Sequence, residues 1–282
     1  MYQIVTKKVL NPTVTQMEIA APLVANKAKP GQFIILRVDE DGERIPLTIA
    51  GADKSNGTVK IIFQIVGATT EKLGHKEAGE YLQDFVGPLG VATHTDGIKK
   101  VCIVGGGVGC AIAMPVAQEF HALGAEVTSI IGFRNRDLVI LEDEFKACSD
   151  RMFLMTDDGS YGRHGNVCVP LTELLKDGET FDMIITIGPL IMMKFVVEVA
   201  RPFGIPVTAS MNPIMIDGTG MCGGCRLTLN QDGKKVTKFA CVDGPDFNGY
   251  EIDFDEAMSR GRMYSDFEHR AHEKTCNLFR KA

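Results

Sequence analysis

Val101-Cys102-Ile103-Val104-Gly105-Gly106-Gly107-Val108-Gly109 is the stretch that decides the fold. Four apolar, mostly β-branched residues predict a buried strand. The glycines that follow, ahead of a helical pattern running to about Leu123, predict a strand-to-helix turn. Glycines at such a turn let a backbone approach a pyrophosphate at the N-terminus of the helix. The dinucleotide fingerprint is met incompletely: its spacing falls on Gly105, Gly107 and Cys110, and no acid ends the second strand to hold a ribose hydroxyl. A tight turn without a ligand is the competing reading. Arg134 and Arg136 stand where the second strand ends. Whether they meet an adenosine phosphate or are solvated stays open, so both NAD(H) and NADP(H) remain candidates.

Downstream, Val127–Phe133, Met152–Met155, Met183–Ile187 and Val207–Ser210 repeat the strand pattern, with helical segments near Leu141–Cys148, Leu171–Lys176 and Ile191–Phe203. Five strands separated by helices predict an α/β doubly wound parallel sheet over 99–210. Upstream, Ile4-Val5, Val14–Ile19, Phe33–Val38, Leu47–Ala50 and Val59–Val66 alternate with turn signals such as Pro30-Gly31 and Ser55-Asn56-Gly57. That spacing predicts an antiparallel β-barrel over 1–98. Beyond Met211 the chain turns rich in Gly, Asp and Cys. A hairpin at Asn230-Gln231-Asp232-Gly233 is expected to join Arg226–Leu229 to Val236–Cys241 in a small module over 211–250, followed by a helical tail over 251–282.

Composition narrows the class. The chain has 282 residues, 45% hydrophobic and 23% charged, which is ordinary for a globular protein. Thirty glycines exceed the usual share of roughly 7%. A net charge of −6, without any block of like charges, argues against a nucleic-acid surface. The amino terminus lacks the apolar run of a secretory signal, and no stretch is long and apolar enough to span a membrane. A cytoplasmic protein is expected, and its eight cysteines then read as metal ligands or packing residues rather than as disulfides.

Asp217-x4-Cys222-x2-Cys225-x15-Cys241 has the spacing of a plant-type [2Fe–2S] site with Asp in the first place. Gly218, Gly220, Gly223 and Gly224 suit a loop whose amides must come close to inorganic sulfide. Tetrahedral zinc on the same four residues, within a nucleotide-sensing binding module, is the reading from a different class. A C-x2-C redox pair is a third. Cys102, Cys110, Cys148, Cys168 and Cys276 show no ligand spacing and read as packing residues, and His269 and His272 read as a solvated helix face.

Arg44-Ile45-Pro46-Leu47-Thr48 places a cation and a hydroxyl on one predicted strand. Arg can clamp a diphosphate, and Thr can hydrogen-bond a flavin edge. With Pro30-Gly31-Gln32-Phe33 before it, Gly67-Ala68-Thr69-Thr70 after it and Gly87-Pro88-Leu89-Gly90 closing the barrel, the chain resembles the ferredoxin–NADP reductase superfamily over about residues 1–210. The family's flavin motif, Arg-x-Pro/Tyr-x-Ser/Thr, falls on Arg44, Pro46, Leu47 and Thr48, and its phosphate turn on Gly67 and Thr70. Asp158-Gly159-Ser160 and Gly188-Pro189, with Met192 and Met193, look like its nicotinamide-side loops, with Ile187 where many relatives have Cys.

The cysteine module narrows the resemblance to the family's electron-transfer subunits. Those of dihydroorotate dehydrogenase have Cys at the place of Asp217. Asp there, with Met221-Cys222-Gly223-Gly224-Cys225-Arg226, looks more like the small subunit of NADH-dependent reduced ferredoxin:NADP oxidoreductases. The resemblance implies FAD in the barrel and NAD(H), with NADP(H) also possible, at Gly105, Gly106, Gly107, Val108 and Gly109. It further implies a [2Fe–2S] cluster on Asp217, Cys222, Cys225 and Cys241, and a larger flavin and iron–sulfur partner subunit, with ferredoxin reached through the complex. Hydride transfer would be carried by the cofactors, with no catalytic acid or nucleophile from the protein.

Overall fold

The computed structural model describes residues 1–263. Seven strands open the chain: β1 (Tyr2–Asn11), β2 (Val14–Ala20), β3 (Phe33–Arg37), β4 (Arg44–Asp53), β5 (Thr58–Gln64), β6 (Tyr81–Leu82) and β7 (Asp84–Leu89). A short helix α1 (Pro22–Ala25) follows β2, and α2 (Ala68–Gly74) follows β5. The antiparallel sheet runs in the order β6-β1-β2-β5-β4-β3-β7. Its two edge strands are consecutive in the chain, separated only by Gln83, so the sheet curls into a nearly closed barrel. Inward-facing Ile4, Met17, Ile34, Leu36, Phe63 and Phe85 fill it.

The second half follows as β8 (Lys100–Gly106), α3 (Gly109–Ala122), β9 (Glu126–Phe133), α4 (Glu142–Ala147), β10 (Arg151–Thr156), β11 (Arg163–His164), α5 (Cys168–Lys176), β12 (Met183–Ile187), α6 (Leu190–Ala200) and β13 (Val207–Ser210). The remaining elements are β14 (Arg226–Gln231), β15 (Lys234–Phe239), β16 (Asp246–Asn248) and α7 (Phe254–Gly261). The sheet order is β11-β10-β9-β8-β12-β13-β16, parallel throughout except for β16. All five expected parallel strands are present. Their order reverses between β8 and β12, which opens a crevice at the carboxyl ends of those strands. Alternation along β8 divides the core: Val101 and Ile103 pack under α3 with Phe120, whereas Cys102 and Val104 face the opposite side.

That opposite side also holds Cys225, Leu227, Leu229, Ala240 and Cys241, together with Phe33 and Ile35 of the barrel. The cysteine segment therefore has no separate core, as expected when about 40 residues bury too little surface to fold alone. It also supplies β16, which covers the free edge of β13. The hairpin is tighter than expected: β14 and β15 extend to a two-residue turn at Asp232-Gly233, both with positive φ. The tail begins as α7, capped by the Asp253 carboxylate accepting from the Glu256 amide at 3.0 Å. The rest of the expected tail helix, with His269, His272 and Cys276, lies outside the described residues. No helix among the described residues is long and apolar enough to cross a membrane.

Phe120 is fully buried in α3, while Leu123, just past its end, is 61% exposed. Phe120→Ala should cost about 3–5 kcal/mol, and Leu123→Ala should stay within about 0.5 kcal/mol, read from the shift in urea midpoint.

Candidate functional site

The crevice and the barrel face each other across a cavity of about 940 Å³, at the upper end of the range for ligand sites. Pro46, Leu47, Thr48 and Thr70 line it from the barrel. Gly106, Gly107, Val108, Gly109, Arg134, Gly188 and Pro189 line it from the parallel sheet. Along β4, Arg44, Pro46 and Thr48 share one face, while Ile45 and Leu47 alternate with them, packing on the barrel core and also reaching the cavity.

Glycine is required where the two turns meet. A Cβ on Gly109 would lie 2.5 Å from the Ile187 carbonyl oxygen and 2.7 Å from the Gly188 Cα. Gly107 has φ +56°, and its amide donates to the Gly132 carbonyl at 2.8 Å. The helix α3 that starts here has no side-chain cap; its Cys110 and Ala111 amides donate to the Gly107 and Val108 carbonyls, which leaves the Val108 and Gly109 amides for a ligand. Gly105 belongs to β8 itself, packed against Cys110, and is not on the cavity wall.

Four expected site residues lie off the wall. Gly67 caps α2, where the Thr70 hydroxyl accepts from the Val66 and Gly67 amides at 3.0 and 3.1 Å. Gly105 is the second. Asp158 is occupied within its own turn, where the Ser160 hydroxyl and amide donate to it at 2.6 and 2.9 Å and hold its carboxyl below the usual range. Arg44 turns away from the cavity, its Nε donating to the Ile216 carbonyl at 2.9 Å. Arg136 stacks over the Tyr161 ring at 5.4 Å, leaving Arg134 as the guanidinium on the cavity wall.

Some cavity residues escaped the sequence reading. Ser210 ends the last parallel strand and Asn212 lies just beyond it, and half-buried Cys168, expected to be a packing residue, also lines the wall. Nothing in local sequence marks them, because their neighbours arrive from other elements. Cys102, Cys110 and Cys148 are buried as expected, and burial pushes the Cys110 thiol up to about 12.

The cysteine loop arranges its donors as two pairs. The Cys222 thiol lies 3.3 Å from Asp217 Oδ1, and the Cys225 and Cys241 sulfurs lie 3.2 Å apart. Among the described residues no three His, Cys, Asp or Glu side chains converge on one point. Two pairs suit a binuclear group with one pair on each iron better than one tetrahedral zinc. Partial desolvation opposes ionisation of Asp217, but hydrogen bonds from Thr219 and Cys222 outweigh it and hold the carboxyl down at about 2. Burial, with the neighbouring Cys225, pushes the free Cys241 thiol up to about 12, so a metal must displace that proton to bind. Gly218, Gly220 and Gly223 all have positive φ, which lets the loop curl round the donors. Gly218 also lies against the barrel, where a Cβ would come 2.9 Å from Ile35 Cδ1.

Comparison with known proteins decides what these features belong to. Residues 212–253 match the model of the iron–sulfur cluster binding domain of dihydroorotate dehydrogenase B. A dihydroorotate dehydrogenase B (NAD(+)) electron transfer subunit homolog of Thermotoga maritima is 42% identical over 272 residues, covering 96% of this chain and 94% of that one. The chain belongs to the dihydroorotate dehydrogenase B electron-transfer subunit family. The electron transfer subunit of Enterococcus faecalis is 33% identical over 260 residues, 89% of this chain and 97% of that one. Among solved structures, a chain of an NADH-dependent reduced ferredoxin-NADP oxidoreductase, studied for flavin-based electron bifurcation, superposes with a TM-score of 0.89 at 40% identity, covering 97% of each. Membership in this family agrees with the resemblance expected from the motifs, and it makes the chain an oxidoreductase electron-transfer subunit.

Gly109→Ala should weaken NADH binding at least about tenfold in an equilibrium titration and cost about 1–3 kcal/mol, since the obstacle is backbone. Gly106→Ala should be milder, because its added methyl meets the flexible Met192 thioether.

Proposed function

We propose that this chain exchanges a hydride's worth of electrons with NAD(H) at an FAD in the large cavity. It then delivers them singly, through a [2Fe–2S] cluster on Asp217, Cys222, Cys225 and Cys241, to a larger flavin and iron–sulfur partner subunit. FAD supplies the conversion between two-electron and one-electron chemistry, and the residues of this chain supply binding, alignment and exclusion of water.

The observation that carries this reading is the double use of one face of β4. Thr48 stands on the cavity wall, and Arg44, four residues earlier on the same face, holds the Ile216 carbonyl next to Asp217. Four residues of strand span about 13 Å. Thr48 would hydrogen-bond the flavin edge. Arg44 would fix the cluster loop against the barrel, a role distinct from the diphosphate clamp that its motif suggests. Val108 and Gly109 would offer the start of α3 to the dinucleotide pyrophosphate, with Gly188 and Pro189 beside the nicotinamide. Arg134, on the cavity wall, would meet an adenosine 2′-phosphate and so admit NADP(H).

The relatives favour two assemblies. In one the partner is the large subunit of a reduced ferredoxin-NADP oxidoreductase, through which ferredoxin is reached; in the other it is a dihydroorotate-oxidising subunit. Asp217 and the full-length likeness to the bifurcating enzyme favour the first.

Anaerobically purified protein should contain iron and acid-labile sulfide in equal amounts, together with flavin absorption and only trace zinc. Stoichiometric zinc without iron or flavin would overturn the reading. Asp217→Ala should lose or destabilise the cluster while keeping flavin, read from iron content and the reduced-state electron paramagnetic resonance signal; unchanged iron would remove Asp217 from the ligand set. The copurifying subunit decides between the two assemblies.

A further inference from the structure

Oxidation of NADH with single-electron export leaves NAD⁺, two electrons and one proton. The electrons have a route in the proposed function, on which this inference rests. The proton must leave the cavity as well, and at its β13 end the wall carries Ser210 and Asn212 among apolar Phe33, Met211 and Met215.

A carboxylate stands behind that end of the wall. Asp246 opens β16 directly across from Ser210 of β13, and the Ser210 side of the strand lines the large cavity. The segment before Asp246 is bolted down on two sides. The Met211 amide donates to the Pro245 carbonyl at 2.8 Å, and the Val91 amide donates to the Gly244 carbonyl at 2.7 Å. Asp246 Oδ2 accepts from the Thr93 hydroxyl at 2.7 Å, while its buried Oδ1 has no hydrogen-bond partner. A carboxylate oxygen left without a donor is costly when ionised. Burial accordingly pushes the Asp246 carboxyl above its ordinary range, against the opposing pull of the Thr93 hydroxyl.

On its other side Asp246 lines a second cavity of about 160 Å³, shared with Thr93, His94 and Asp243. That is room for several waters. His94, Asp243 and Val91 on its rim are exposed, so the small cavity meets solvent. Asp246 therefore separates the large cavity from an exit lined with polar groups.

We propose that Asp246 carries the proton out of the large cavity: its carboxylate takes the proton by way of the Ser210 hydroxyl and, as the neutral acid, passes it along Thr93 to water beside His94. One O–H bond forms on Asp246 and the same bond breaks on release, so the residue is unchanged after each NADH, and the electrons leave separately. The titratable groups facing Asp246 are His94 and Asp243 in the small cavity. Arg134 and Asp157 of the large cavity belong to the β9 and β10 ends, three or more strands away across the sheet.

Asp246→Asn in the complete flavin- and cluster-loaded complex tests the relay. NADH oxidation by a one-electron dye should slow at least tenfold with flavin and iron content unchanged, and its pH profile should lose the limb set by the carboxyl. Infrared difference spectra on reduction should show a protonated carboxylic acid band in the wild type that is absent from the variant. Asp246→Glu should recover part of the rate. An unchanged rate and pH profile in Asp246→Asn, or no carboxylic acid band in the wild type, would overturn the relay. Should Asp246→Asn lose its cofactors, Thr93→Val decides, since it removes only the exit hydroxyl: slowed proton release supports the relay, and an unaltered rate rejects it. A wild-type protein that does not oxidise NADH strikes the proposed function instead, whereas normal wild-type turnover with an indifferent Asp246→Asn strikes the relay alone.

Discussion

The near-contact of Gly109 with the Ile187–Gly188 backbone is the constraint on which the rest of the structure depends. It brings the turns after β8 and β12 together at the place where strand order reverses, and so sets the width of the crevice. Any side chain at Gly109 would push the α6 turn away, and with it Pro189 and Met192. Met192 packs against both Gly106 and Gly188, so displacement of one turn would disturb the other. The uncapped start of α3 therefore stays open to a ligand because its neighbour is held at backbone distance.

A second set of contacts attaches the cluster loop to this frame. The loop contributes to the same hydrophobic core as the parallel sheet and the outer face of the barrel, through Cys225, Leu227 and Cys241 with Phe33 and Ile35. Gly218 and Arg44 then fix its exposed turn to the barrel. Dispersion and burial position the buried donor pair, whereas one hydrogen bond and one glycine contact position the exposed pair. The buried Cys225 and Cys241 are thus held by the core, and Asp217 and Cys222 by a loop that partly faces solvent.

Much of this was legible in the sequence for a definable reason. Strands β8, β9, β10, β12 and β13 announce themselves as apolar β-branched runs, and the iron–sulfur binding segment as a fixed cysteine spacing, because both signals are local. What escaped was non-local. The side chain of Arg44 belongs to a flavin-like motif, yet in space it meets Ile216, 172 residues on. Asp158 lies in a turn whose Ser160 amide and hydroxyl both donate to one of its oxygens, so its motif carries it close to the site but not onto the wall. Asp246 and β16 carry no motif, and their burial follows only from the edge of β13 and the exit of the barrel being on either side of them.

The aspartate in the first ligand place follows the same logic. Its two oxygens receive the Thr219, Met221 and Cys222 amides, the Thr219 hydroxyl and the Cys222 thiol. A thiolate accepts hydrogen bonds weakly, whereas a carboxylate can hold several donors and still face a metal. The loop around Asp217 is therefore organised by itself, and hydrogen bonds hold its carboxyl down at about 2. The buried pair is the opposite case, since burial holds the Cys241 thiol protonated until a metal displaces the proton. One iron would thus sit between a hard, preformed, solvent-facing pair and the other between two soft, buried sulfurs. With a cluster held by these four residues, the charge of an added electron would be better stabilised on the Asp217 side, where solvent and hydrogen-bond donors are gathered.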